Sequence, residues 1–397
     1  MSKDTSWHRD THLIREGVNR TDNLETSEAL FMTSGYVYDT AEQAAAAFKG
    51  EADNFVYSRY GNPTLKALEA RLAKLEGAEA CRVCGTGMAA IFSSLACQLS
   101  AGDRVVASQA LFGACHAILT KILPRWGVDV ELVDGRDLAA WTTALAKPTK
   151  IVFLESPSNP VLHLVDIQAV SALAHAAGAQ VIVDNVFATP VFQSPLALGA
   201  DIVTYSTTKH IDGQGRLLGG AVLGTTAFIE ETFLPFYRQT GAAMSPFTAW
   251  VMLKSLETLA LRVEAQTKTA GTIAAAIKAH PAVVSLSYPG EPSHPQYELA
   301  CRQMSGPSTL MAFEVQGGKD GAFRFLNALS LIDISNNLGD SKSLACHPAS
   351  TTHMSLSEEE RQQLEINEGH VRLSVGLEHA DDLISDLTQA LDACIRS

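Results

Sequence analysis

Apolar residues recur along this chain in two rhythms. In "GNPTLKALEARLAKLEG", Leu65, Leu68, Leu72 and Leu75 stand three or four residues apart, which lines one face of a helix. Asn62 is placed to cap that helix, Pro63 sits where a missing N–H costs nothing, and Gly77 ends it. A second apolar helix grows out of the small residues in "GTGMAAIFSSLACQL". The other rhythm is continuous: "DRVVAS", "VDVELVD", "KIVFLES", "AQVIVDNV" and "ADIVTYST" are short, apolar and rich in Val and Ile, as strands buried on both faces are. Between two of them, "VDIQAVSALAHAAG" reads as a capped helix stopped by Gly178. This alternation predicts an α/β fold, a mostly parallel sheet covered by helices, with ligands bound beyond the carboxyl ends of the strands.

The texture differs on either side of this block. Residues 1–61 carry little periodicity and many turn formers, and form an expected N-terminal arm. Residues 62–250 form the sheet-bearing domain, and residues 251–397 a smaller α+β domain. The stretch "SPFTAWVMLKSLETLALRVEAQTKTAGTIAAAIKAH", at the junction, predicts one long helix or two in tandem. Ile384, Leu387, Leu391 and Ile395 form the stripe of a final amphipathic helix.

Composition narrows the function classes. With 397 residues, 46% hydrophobic and 18% charged, the chain can bury a sizeable core. Its 30 basic and 43 acidic residues give a net charge of −13, which opposes binding to nucleic acid and to anionic membranes. The start "MSKDTSWHRD" has no apolar signal region, and no apolar run reaches bilayer length, so a cytoplasmic location is expected. Seven scattered cysteines suit reduced thiols. The pair in "CRVC" has metal-site spacing but no second pair to complete a tetrahedral set, so no metal is expected.

Three features converge where the ligand crevice belongs. Asp184 ends the strand of "VIVDN", too apolar a setting for a carboxylate without a cationic partner, and a protonated pyridine nitrogen is one such partner. "GTGMAA" presents a helix start suited to a phosphate. Lys209, in "YSTTKHIDGQGR", follows a buried strand among hydroxyl residues, where an amine can capture a carbonyl. In this order the three point to pyridoxal 5'-phosphate. No dinucleotide fingerprint, nucleophile elbow or Walker loop competes with them.

The series "YSRYGNPT", "GTGMAA", "ESPSNP", "VDNVFATP", "YSTTKHIDGQGR", "HPASTTH" and "VRLSVGLE" resembles the cysteine and methionine metabolism family of pyridoxal-phosphate enzymes. The likeness runs from about residue 10 to the end. It implies the aspartate aminotransferase-like fold type I. "TTKHIDGQGRLLGG" is most similar to the O-succinylhomoserine sulfhydrylase branch, whose substrates are O-succinylhomoserine and sulfide. Cystathionine γ-synthase and the methionine or cystathionine γ-lyases are the alternatives within the family.

The resemblance implies Lys209 as the cofactor-bearing lysine, Asp184 as partner of the ring nitrogen, and Gly87, Met88, Ser206 and Thr208 as the phosphate cradle. Tyr57 and Arg59 would reach the phosphate of a neighbouring subunit, which implies a homo-oligomer, usually a tetramer. Arg372 would clamp the substrate carboxylate with help from Asn159 and the Ser343 region. Read from its strand alone, Arg372 alternates with apolar neighbours and reads as solvent-exposed. Phe112 stands where many members carry a tyrosine, so stacking persists without a phenolic acid or base. Arg216, just past the lysine, is either a cation for the succinyl group or a brace for the turn. His210, Cys115, His116 and His353 read as packing or hydrogen-bonded residues.

Overall fold

The computed structural model describes residues 7–395. Its larger sheet has seven strands: β1 (Ala80–Cys84), β2 (Arg104–Ser108), β3 (Asp129–Val133), β4 (Ile151–Glu155), β5 (Gln180–Asp184), β6 (Ile202–Tyr205) and β7 (Gly220–Gly224). They lie in the order β1-β7-β6-β5-β4-β2-β3. Only β7 runs against its neighbours; the remaining pairings are parallel. Alternate side chains of each central strand serve two different cores. In β4, Ile151 and Phe153 enter one and Val152 and Leu154 the other; β5 divides Ile182 from Val181 and Val183 in the same way. Burial on both faces is why these strands lack polar alternation.

β1 and β7 escape the strand pattern, β1 because an arginine stands between its two cysteines and β7 because glycines bound it. The "CRVC" motif is the body of β1. Three residues apart on a strand, Cys81 and Cys84 face opposite sides and enter separate cores, so the two sulfurs do not share a ligand.

The helix Pro63–Glu76 begins as its sequence dictates: the Asn62 side chain accepts from the Thr64 N–H at 2.9 Å, and Gly77 closes it at φ +79°. Its four leucines are buried, each contributing roughly 1.5–3 kcal/mol. The junction stretch is two helices, Pro246–Leu256 and Leu259–Ile277. The second is shared. Leu259, Ala260 and Val263 join the core that contains Leu68 and Leu72, whereas Ala270, Ile273 and Ile277 join the core of a second sheet.

That second sheet comprises β8 (Val283–Ser287), β9 (Leu310–Val315), β10 (Asp333–Ile334), β11 (Leu344–Cys346) and β12 (His370–Ser374), in the order β10-β11-β12-β9-β8. Apart from the parallel β10–β11 pair it is antiparallel. The last helix, Ala380–Ile395, buries Leu383, Leu387, Ala390, Leu391 and Cys394, while Ile384 is half-buried and Ile395 exposed. Leu387 and Leu391 hold the expected stripe, and its two ends shift by one residue, to Leu383 and Cys394. Among the described residues no helix is long and apolar enough to cross a membrane.

Candidate active site

The carboxyl ends of β4, β5 and β6 lie side by side and open into a cavity of about 240 Å³. The cavity is lined by Gly87 and Met88 from one helix start, by Phe112, Asn159, Asp184, Ser206, Thr208 and Lys209, and by Arg372 from β12 of the second sheet. Nine of the residues singled out in the sequence thus come together. Tyr57, Arg59, Ser343 and Arg216 do not line it.

Each wall has a local cause. Thr86 caps the helix Gly87–Ala96 by accepting from the Ala89 N–H at 3.0 Å, and Gly87 and Met88 in the first turn, whose N–H groups have no intrahelical acceptor, line the cavity. Gly87 is needed there: a methyl group on it would sit 2.6 Å from Ser206 Cβ and 2.8 Å from Ser206 Oγ. The Thr208 hydroxyl accepts from the Gly219 N–H at 3.0 Å and so braces the turn that carries Lys209.

Asp184 ends β5, is 5% exposed, and its carboxylate accepts one hydrogen bond, from the Val186 N–H at 3.2 Å. Burial raises its pKa to about 7. In register beside it at the end of β4 is Glu155, which sequence reasoning missed. One Glu155 oxygen accepts from the Phe112 N–H and the other from the Asn159 N–H, both at 2.9 Å. Burial and then the Asp184 charge push its pKa well up. The signal was available: "FLE" closes its strand as "IVD" closes the next.

Lys209 follows β6, and its Nζ donates to Asn337 Oδ1 at 2.6 Å. Burial, then the Arg372 charge, lower its pKa to about 8, so a useful fraction of the amine is neutral near physiological pH. Arg372 corrects the reading of an exposed arginine: it is 2% exposed. Its guanidinium donates to Asn159 Oδ1 at 2.9 Å and to the carbonyls of Asn336 and Asn337 at 2.9 and 3.1 Å, and its buried Nε has no partner among the described residues. The loop carrying Asn336 and Asn337 was also not anticipated; it lies between β10 and β11 of the second sheet, far in sequence from the lysine.

The residues left out are accounted for elsewhere. Arg216 donates to Asp212 Oδ1 at 2.9 Å and to Ser255 Oγ at 2.6 Å, which makes it a brace for the turn. Ser343 Oγ donates to Glu378 at 2.8 Å. Tyr57 is 42% exposed, and Arg59 lies over the rings of Tyr57 and Tyr60. His210 is buried, bonded to Thr309 Oγ1 at 2.7 Å and held neutral, its pKa lowered to about 3 by burial and then by Arg262. His353 bonds Thr352 Oγ1 at 2.8 Å.

These features fit pyridoxal 5'-phosphate. A buried carboxylate suits a cation, a helix start without a side chain at Gly87 leaves room for a phosphate, and an amine of lowered pKa lines the same cavity. The description "Cys/Met metabolism PLP-dependent enzyme" matches residues 10–392. An O-succinylhomoserine sulfhydrylase of Mycobacterium tuberculosis is 53% identical over 382 residues, covering 95% of this chain and 94% of its own. An L-methionine gamma-lyase of Porphyromonas gingivalis is 44% identical over 368 residues, 92% of each. A crystal structure from Campylobacter jejuni that carries N'-pyridoxyl-lysine-5'-monophosphate superposes with a TM-score of 0.94 at 32% identity, covering 97% of this chain and all of that one.

Proposed function

Because the chain belongs to the Cys/Met metabolism family of PLP-dependent enzymes, we propose that it catalyses γ-replacement on O-succinyl-L-homoserine, exchanging succinate for sulfide to give L-homocysteine in methionine biosynthesis. The observation that carries the reading is the convergence of Lys209, Asp184 and Arg372 on one cavity beside the Gly87 helix start. Bound pyridoxal phosphate supplies a carbonyl that captures amines and a protonated ring that draws electrons from the substrate's α-carbon.

The chain's own residues do the rest. With the cofactor bound, Asp184 as a carboxylate would keep its ring nitrogen protonated. Gly87, Met88, Ser206 and Thr208 would hold its phosphate. Arg372, steadied by Asn159, pairs with the substrate α-carboxylate in bidentate fashion. Lys209 Nζ removes the α-proton and carries protons between neighbouring carbons while succinate leaves Cγ and sulfide adds there. Its flexible stem suits several positions, and its lowered pKa suits both acceptance and return of a proton. Phe112 offers an aromatic face and no ionisable hydroxyl, so it takes no part in the proton transfers.

Arg59 and Tyr57 of a neighbouring copy complete the phosphate site, which makes the working unit a homo-oligomer, a homotetramer in this reading, acting in the cytoplasm. The test is an incubation series with the cofactor-loaded protein and O-succinyl- or O-acetylhomoserine, with sulfide, cysteine or no donor. Homocysteine formed on sulfide is the expected product. Cystathionine formed only on cysteine, or 2-oxobutyrate formed at the same rate without any thiol, replaces the reading with a synthase or a lyase.

A further inference from the structure

The candidate site has fewer cations than its cofactor and substrate together have anionic groups. Under the reading above, the site takes a phosphate, an α-carboxylate and the distal carboxylate of a succinyl ester. The cavity is lined by two cations, Lys209 and Arg372. Lys209 is occupied with proton transfer, and Arg372 with one carboxylate. An adjoining cavity of about 600 Å³ shares Phe112, Asn336 and Thr352 with the first but has no lysine or arginine in its wall. His347, which does line it, has both ring nitrogens engaged, by Ser350 Oγ and the Glu368 carbonyl. Arg216 is tied to Asp212 and Ser255.

Two guanidinium groups elsewhere have the opposite imbalance. Arg59 and Arg238 lie over the same Tyr60 ring, at 5.0 and 4.9 Å from its centre. Arg59 Nη1 donates to the Arg238 backbone carbonyl, which ties the Arg59 side chain to the segment that carries Arg238. Among the described residues neither arginine forms an ion pair, and the buried Arg238 Nε has no hydrogen-bond partner. The Glu230 carboxylate lies near Arg238 but is paired with Arg82 at 3.2 Å, so two like charges sharing one aromatic ring remain available to an anion.

We propose that Arg238 of a neighbouring copy reads the distal carboxylate of the succinyl ester, beside the Arg59 that meets the phosphate. The inference rests on the succinyl-ester reading. It makes leaving-group choice a property of the assembled oligomer, because the chain that holds the substrate's α-carboxylate lacks a free cation for the other end.

The test compares kcat/KM for O-succinyl- and O-acetylhomoserine with sulfide in the parent, Arg238→Ala, Arg238→Lys and Lys319→Ala. Lys319 is the control, an exposed lysine whose ammonium lies over Phe323 at the rim of the adjoining cavity. Arg238→Ala is expected to lower the succinyl-to-acetyl ratio by about 10- to 100-fold, with Arg238→Lys intermediate, because a lost charge-assisted pair is worth one to two powers of ten. The inhibition constant of free succinate rises in parallel. Mixing Arg238→Ala with Lys209→Ala subunits restores the ratio at hybrid sites if the arginine acts across the interface. An unmoved ratio in Arg238→Ala, an equal loss on both esters, a shift in Lys319→Ala instead, or hybrids that stay non-selective each overturn the inference. A parent that makes no homocysteine from either ester defeats the underlying reading, which is a separate failure.

Discussion

Lys209 and Asp184 draw opposite consequences from the same cause. Burial lowers the pKa of one and raises that of the other, bringing an amine and a carboxyl to about 8 and about 7. Lys209→Ala is expected to reduce turnover by at least about 1,000-fold and to abolish the covalent cofactor link, while phosphate contacts still hold the cofactor. Visible absorbance and intact mass check this. Asp184→Asn slows α-proton removal strongly and also changes the cofactor-free protein. In the parent, the folded chain keeps the Asp184 proton up to about pH 7, whereas the unfolded chain loses it near 4. Between those values the unfolded state binds fewer protons, so parent stability falls as pH rises and then levels off. Cofactor-free Asp184→Asn should therefore melt above the parent at pH 8, with the gap closing towards pH 4. Thermal melts across that range decide it, and a constant gap rejects the assignment. Lys209 and Asp184 were legible because a charged residue in an apolar strand context demands explanation. Arg372 was not legible from its strand, since its pocket is built by Asn159 and the 336–337 carbonyls, far away in sequence.

At the scale of elements, the proposed phosphate cradle depends on how closely one helix start approaches the turn after β6. The missing side chain at Gly87 sets that distance. Gly87→Ala is expected to weaken cofactor affinity by about 10- to 100-fold while leaving the core intact, because the new methyl would meet Ser206 rather than the sheet. Equilibrium titration of the cofactor-free variant measures it, and unchanged affinity would place the phosphate elsewhere. Five strands and the capped helices were readable because buried parallel strands leave long Val and Ile runs. β1 and β7 were not, since one carries an arginine between cysteines and the other is framed by glycines.

For the whole molecule, Arg59 and Lys209 provide the sharpest question, since one chain does not bring them to the same cavity. Arg59→Ala and Lys209→Ala proteins, each impaired alone, should regain activity when subunits exchange, because some hybrid sites then hold both residues. No recovery despite exchange confirmed by native mass measurement argues for a self-contained site. A different whole-molecule consequence comes from the helix Leu259–Ile277. A gene fragment ending at residue 250 would lack Leu253, Leu256, Leu259 and Val263, which fill the same core as Leu68 and Leu72. A fragment starting at 264 would keep its own sheet but lose the helix's first turns. The chain is therefore not severable into two independently folding halves. Heating should give one calorimetric transition, and recombination between relatives should tolerate crossovers near this helix poorly, since any junction there must match two cores at once.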